Sequence, residues 1–334
     1  FMAMAVIAGT TSCDDFLDRE PMSSISPETY YSTAAQLEAN LNDEYPNVLP
    51  SFGQWTYGIF GEDKGTDNQI EVNANDRYTQ DRWKVPHSES DNWKFERIYR
   101  INFFLSEALP KFGEDMSGSQ NTISGSVATI KHYIGEMYFL RAYEYFKKLQ
   151  LFGDFPIINQ PLADEMEALR EASKRFPRNE VARFIISDLD KAYAYMSDVD
   201  MATTRINKDV AMLVKSRVAL FEATWLQNFK GTAFVPGGEG WPGASLHNNY
   251  QYPSGNIDNE VKYFLEQAVE ASKLVADKYK GSLTENTGVL QQSADDPSNP
   301  YFDMFAQEDL SDVKEVLLWR QYARGLSTHN INAA

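Results

Sequence analysis

Four acidic side chains in the stretch "GEDKGTDNQIE" set the first chemical question: Glu62, Asp63, Asp67 and Glu71. Two carboxylates can cleave a glycosidic bond when they flank it and one of them has a raised pKa. Asp63, Asp67 and Glu71, at near-regular spacing, could instead supply hard oxygens to Ca²⁺. A solvated loop is the plainest reading of such a run in an acidic chain, and all three readings stay open. Elsewhere the chemistry is sparse. There is no H-E-x-x-H, C-x-x-C, G-x-S-x-G or Walker A pattern. The four histidines, His87, His132, His247 and His329, show no metal-ligand spacing. "GEGWPG" (Gly238–Gly243) matches G-x-G-x-x-G by letter, but no strand precedes it and Pro242 interrupts it, so it does not read as a dinucleotide site.

The sole cysteine, Cys13, follows the apolar run "FMAMAVIAG" and the small residues Thr10, Thr11 and Ser12. The run is too short to span a bilayer. It resembles the end of a signal peptide, and the small residues before Cys resemble a lipobox, although Thr10 stands where a leucine-like residue is expected. On this reading residues 1–12 are a signal remnant and Cys13 carries the lipid. One cysteine permits no internal disulfide.

The aromatic residues carry the better functional signal. They make up 13% of the chain, with 18 Tyr and 6 Trp, and many fall in loop-like stretches. One set is Trp55, Tyr57, Tyr78 and Trp83; the other is Phe234, Trp241, Tyr250 and Tyr252, within "GTAFVPGGEGWPGASLHNNYQYPSG". Apolar sugar faces stack on exposed rings, and rings on braced loops make a platform with little ordering cost. The competing role for each ring is to pin a long loop to a core. The expected stacking residues are Trp83, Trp241, Tyr250 and Tyr252, with Trp55 as a further candidate; Arg82 and Asp67 are the expected hydroxyl partners.

The elements that must position these loops are helical. Thr33 and Gln36 form a capping-box pattern ahead of Leu37, Leu41 and Tyr45. Ser26-Pro27 reads as the start of a short helix. Ile98, Ile101, Leu105 and Leu109 share a face, with Pro110 as the expected stop. Four strong patterns follow. The first holds Val127, Ile130, Ile134 and Met137 and becomes apolar nearly all round, so it should be central. The second holds Val181, Ile185, Leu189, Ala192 and Met196. The third holds Val210, Val214, Val218, Phe221 and Trp225, with Asn207 as N-cap. The fourth holds Phe264, Ala268, Ala271 and Val275, with Asp258 as the expected cap. Alanines beside large aromatics suggest closely packed helix pairs of the tetratricopeptide type. "EVLLW" (Glu315–Trp319) reads as a strand. The fold class is therefore mainly α, with long irregular binding loops and few short strands. The excess of 48 Asp and Glu over 31 Lys and Arg, net −17, sets nucleic acid aside as a partner.

Several stretches, in order, resemble the SusD/RagB-like lipoproteins of Bacteroidetes. The strongest is "GEMYFLRAYEYFKKLQLFGDFPII" (Gly135–Ile158), which resembles the family's signature helix and following turn. "CDDFLDREP" resembles the mature family N-terminus, and "WKFERIYRINFFLSEALPKF" the helix before the signature. "RNEVARFIISDLDKAY", "INKDVAMLVKSRVALFEATW" and "YFLEQAVEASKLVADKY" resemble its later repeat helices, and "PYFDMFAQEDLSDVKEVLLWRQY" the approach to its central strand. The resemblance implies a nutrient-binding lipoprotein of the outer membrane with no enzyme activity; no cofactor is expected beyond the Ca²⁺ that the acidic run could hold. Its ligand would be an oligo- or polysaccharide, and its partner a SusC-like TonB-dependent transporter. Asp14-Asp15 resembles the signal that sends such lipoproteins to the cell surface. Family members continue well past Ala334, so residues 13–334 are expected to be a SusD-like domain without its C-terminal part. The alternatives are the same architecture binding peptide or another nutrient, an α-helical glycosidase, and a bare repeat scaffold for protein partners.

Overall fold

The computed structural model describes residues 30–50, 68–69, 80, 92–113, 115–196, 201–290, 292–293 and 295–321. Helix α1 (Ala34–Val48) starts at the capping box: the Thr33 hydroxyl accepts the Gln36 N–H at 3.3 Å, and the Gln36 side chain accepts the Thr33 N–H at 3.0 Å. Helix α2 (Glu96–Phe112) buries Ile98, Ile101 and Leu105. It runs through Pro110 rather than stopping there. A proline in the last turn forfeits only its own N–H, and the helix closes three residues later at Gly113, which takes φ 105° and donates to the Leu109 carbonyl at 3.0 Å.

Helix α3 (Val127–Phe152) is the centre of the fold, and it packs against α1, α2 and α5 (Arg178–Tyr195). Its tightest approach is at Gly135, where a Cβ would lie 2.8 Å from the Met196 N and 2.9 Å from the Ala192 carbonyl. The short α4 (Met166–Ala172) lies in the connection between α3 and α5. Helix α6 (Lys208–Asn228) packs against α5, and α7 (Ile257–Tyr279) packs along α6. The short α8 (Pro300–Met304) follows. Asn207 caps α6 as expected, accepting the N–H groups of Asp209 and Val210 at 3.1 Å. The cap of α7 is Asn256, two residues before the expected Asp258, because the Asn256 side chain reaches the Asn259 N–H at 2.9 Å.

The segment Glu315–Trp319 is not a strand. A strand needs a ladder partner. Here the backbone N–H and the indole of Trp319 instead donate to the carbonyl and hydroxyl of Thr203, at 3.1 and 2.9 Å, and Asn207 donates to the Leu317 carbonyl at 2.9 Å. Two isolated β-bridges join described residues to one another, Thr33 with Ser124 and Phe155 with Phe176. The mainly α architecture stands, with long irregular connections between its helices.

Because α3 is enclosed, its charged side chains must find partners inside the protein. Arg141 donates to both oxygens of Asp188 on α5, at 2.6 and 2.8 Å, and to Asn102 on α2 at 2.9 Å. Asn102 in turn donates to the Ile158 carbonyl at 2.9 Å. Burial works to lower the Arg141 pKa, but the hydrogen bonds and charge of Asp188 outweigh it and the net shift is upward. One turn earlier, Glu136 accepts Arg205 at 3.0 and 2.8 Å and the Tyr45 hydroxyl at 2.7 Å. Arg141→Leu removes the two-pronged partner of buried Asp188, leaving only Lys191 at 3.8 Å, and should cost about 3–5 kcal/mol in urea denaturation. The double variant Arg141→Leu/Asp188→Leu should recover part of that loss; equal loss in both would mean that the charge left behind is not the cause.

Candidate functional site

A cleft of about 510 Å³ opens where the α3–α5 connection meets the loop between α6 and α7. It is lined by the turn Phe152–Asp154 and by Phe234, Trp241 and Leu246. Gly153 takes φ 67° and ψ −104° there, a positive-φ conformation that glycine adopts without a Cβ penalty as the chain turns out of α3. Phe234 is 61% exposed, and Leu246 and Leu151 are also exposed. Trp225, half-buried on α6, completes an apolar lining.

The position of each ring follows from polar groups beneath it. Arg178 and Glu222 form a buried two-pronged pair at 3.0 and 2.9 Å, and the Arg178 guanidinium lies 4.1 Å from the Trp225 ring centroid. The Trp225 indole donates to the Phe234 carbonyl at 3.0 Å, holding the loop against α6. Asp154 accepts the Arg178 backbone N–H at 2.9 Å and the Trp241 indole N–H at 2.7 Å. Burial pushes the Asp154 carboxyl up from its ordinary range, and those two hydrogen bonds resist the shift. Burial likewise raises Glu222, despite the opposing charge of Arg178.

Three of the expected ligand residues are brought together here. Trp241 and Tyr250 have ring centroids 5.6 Å apart, and Tyr250 and Tyr252 are 5.2 Å apart. Their rings differ from the expected open platform. Trp241 is only 5% exposed and stacks on His247, because Asp154 draws its indole inward. The Tyr250 hydroxyl donates to Asn179 at 3.0 Å, and the Tyr252 hydroxyl donates to the Pro236 carbonyl at 2.7 Å. Trp241 still forms part of the cleft wall, while Tyr250 and Tyr252 line a shallower hollow of about 360 Å³ on the same loop. The three therefore brace the loop that presents Phe234. Cys13, Trp55, Asp67, Arg82 and Trp83 lie outside the described residues, as do the carboxylates Glu62, Asp63 and Glu71, Ser26-Pro27 and residues 1–12. Among the described residues no group of three or more His, Cys, Asp or Glu side chains could hold a metal ion, and no helix is long and apolar enough to cross a membrane.

Sequence reasoning did not single out Trp225, Arg175 or Asp154 as parts of this cleft. Phe234 was in the aromatic loop set, but no signal distinguished it as the exposed member. Trp225 reads as one more apolar position of its helix. Only the distant Arg178, whose guanidinium lies over its ring, reveals its setting.

A family profile described as SusD-like, "Starch-binding associating with outer membrane", matches residues 15–220. That is more than half of the chain, and the chain belongs to this family. Among curated proteins, SusD-like protein P2 of Formosa agariphila is 26% identical over 235 residues, covering 67% of this chain and 43% of its own. SusD-like protein P25 of the same organism is 25% identical over 233 residues, covering 64% and 41%. The chain thus spans less than half the length of these relatives. A solved SusD-like protein from Bacteroides fragilis aligns with a TM-score of 0.44 at 21% identity, over 64% of this chain and 40% of its own.

Two predictions follow from the braces. Trp241→Phe keeps the ring but removes the donor to Asp154, and should lower stability by about 1–3 kcal/mol; unchanged urea denaturation would remove the indole from the account. The second concerns Glu260, which fixes the loop's return into α7 by accepting Asn179 at 3.0 Å, Arg183 at 2.7 and 2.9 Å and the Ser254 N–H at 3.2 Å. Burial works to raise its pKa, but hydrogen bonds from Arg183, Asn179 and Ser254 prevail and the net shift is downward. A carboxyl with a depressed folded pKa stabilises the fold above its ordinary range, about pH 4–5. That stability is lost as pH falls through the folded value. Glu260→Gln should therefore be destabilised at pH 7, with the gap to the wild type narrowing at pH 4 and below. A gap independent of pH, measured by urea titration, would contradict the assignment.

Proposed function

We propose that the chain is the helical part of an outer-membrane lipoprotein that captures oligo- or polysaccharide without cleaving it. The observation that carries this reading is the exposed Phe234 ring, held beside Trp225 over the cleft by a loop that Trp241, Tyr250 and Tyr252 brace. An apolar ring fixed before the ligand arrives loses little freedom on binding, which suits the faces of sugar rings. The family's starch-binding description supports the same ligand class. Trp55, Asp67, Arg82 and Trp83 are proposed as further ligand contacts from the segment of sequence between α1 and α2. Cys13 is proposed as the lipid-bearing residue, exposed at the cell surface, with a SusC-like TonB-dependent transporter as the receiver of the ligand.

Binding without cleavage is favoured by the state of Asp154. Both of its oxygens are committed to Arg178 and Trp241, so it is poorly placed to act as one of the two carboxylates that glycoside hydrolysis requires.

Affinity electrophoresis through gels containing different polysaccharides tests the proposal. The expected result is retardation by at least one of them, with no sugar released on incubation. Phe234→Ala should keep the fold and weaken retention by about five-fold or more, as stacking contacts of roughly 1–3 kcal/mol imply. Migration unaffected by any polysaccharide, in protein shown to be folded, would contradict glycan capture; release of sugar would contradict its passive character.

A further inference from the structure

The cleft presents one exposed charge, and it is positive. Arg175 lies on its rim, exposed, with its guanidinium 4.6 Å from the centroid of the Trp93 ring. Among the described residues no carboxylate pairs with it, although acidic residues outnumber basic ones in the chain as a whole. Its neighbours are differently disposed. Lys174 pairs with Glu171, and Arg178 is buried and neutralised by Glu222. The carboxylate that lines the cleft, Asp154, faces inward to Arg178 and Trp241.

The Arg175 guanidinium is also held in place. Trp93 stands in a cluster with Phe152 at 4.9 Å and Phe155 at 4.9 Å, and Phe152 itself lines the cleft. The Arg175 carbonyl accepts the His247 Nε2–H at 2.7 Å, which ties the arginine's backbone to the loop between α6 and α7. A guanidinium stacked on one face keeps its N–H groups in the plane free to bind a two-oxygen anion. From the exposed ring of Phe234, the apolar lining and this cation, unpaired among the described residues, we infer that the cleft selects an anionic sugar, with the carboxylate or sulfate ester seated on Arg175. This deepens the glycan-capture reading and rests on it.

The test uses the full chain and two matched pairs of probes. The first is oligogalacturonate against its fully methyl-esterified, neutral form; the second is a sulfated galactan against the same polymer desulfated. Binding is measured by calorimetry or retardation at one ionic strength. At least one anionic probe should bind about ten-fold more tightly than its neutral partner, and the pair that shows the difference identifies the anion. Arg175→Gln should abolish that difference, and Arg175→Lys should restore part of it. Circular dichroism checks that both variants are folded. An anionic preference that survives in Arg175→Gln would overturn the assignment to this residue. Neutral glycans bound as tightly as anionic ones would overturn the anion preference and leave glycan capture standing. Binding of no glycan of either kind would overturn glycan capture and this inference with it.

Discussion

A guanidinium and a carboxylate enclosed by apolar helices hold the centre of this structure. Arg141 and Asp188 lie on different helices, both removed from water, and neither could remain charged there alone. The pair joins α3 to α5, and the remaining Arg141 donors reach Asn102 on α2 and the Asn159 carbonyl. Tyr145 adds a further tie, its hydroxyl donating to the Ile158 carbonyl and accepting the Ile158 N–H. The chain leaving α3 is thus fixed before it turns back into α5. Apolar packing supplies the mass of the core, but it is tolerant of sliding. The directional contacts at Arg141 and Glu136 select one register among the helices.

The same logic is repeated nearer the surface, where it shapes the cleft. The Arg178–Glu222 pair lies beneath Trp225, and Asp154 draws in Trp241. Asn179 holds Tyr250 and is itself bound to Glu260. Each buried polar group satisfies a neighbour and sets the angle of a ring, so a long loop rich in glycine is held to a single shape. Gly238 shows how closely the loop folds on itself: a Cβ there would lie 1.9 Å from the Thr232 carbonyl oxygen. A loop held this way can offer Phe234 to solvent without collapsing over it.

The helices were legible in the sequence because their signals are local. Thr33 with Gln36 and Asn207 before its apolar stripe announced two helix starts, and the periodic apolar positions of α5 and α7 are the ones that the fold buries. The strand expected at "EVLLW" failed because an apolar run becomes a strand only with a ladder partner, and Thr203 and Asn207 took up its polar groups instead. The aromatic residues of one loop are near one another in the fold, yet the roles within it are not readable from the sequence. Whether Trp241 faces ligand or core is decided by Asp154, 87 residues away, and the setting of Tyr250 by Asn179, 71 residues away. Residue type cannot convey such pairings. Arg175 was invisible for the same reason: an arginine in a polar connection gains its meaning only once Trp93 is folded beneath it.

The central claim is that a cleft braced by buried polar groups, and not the helical core, receives the glycan. Hydrogen–deuterium exchange with and without a polysaccharide that the chain retains tests this most directly. The account predicts slower exchange on binding in two segments, Phe152–Asp154 and Phe229–Leu246, while the α3 core from Ile134 to Leu149 is already protected and unchanged. Bound glycan that leaves both segments unaffected, or that protects only the outer faces of α6 and α7, would contradict it.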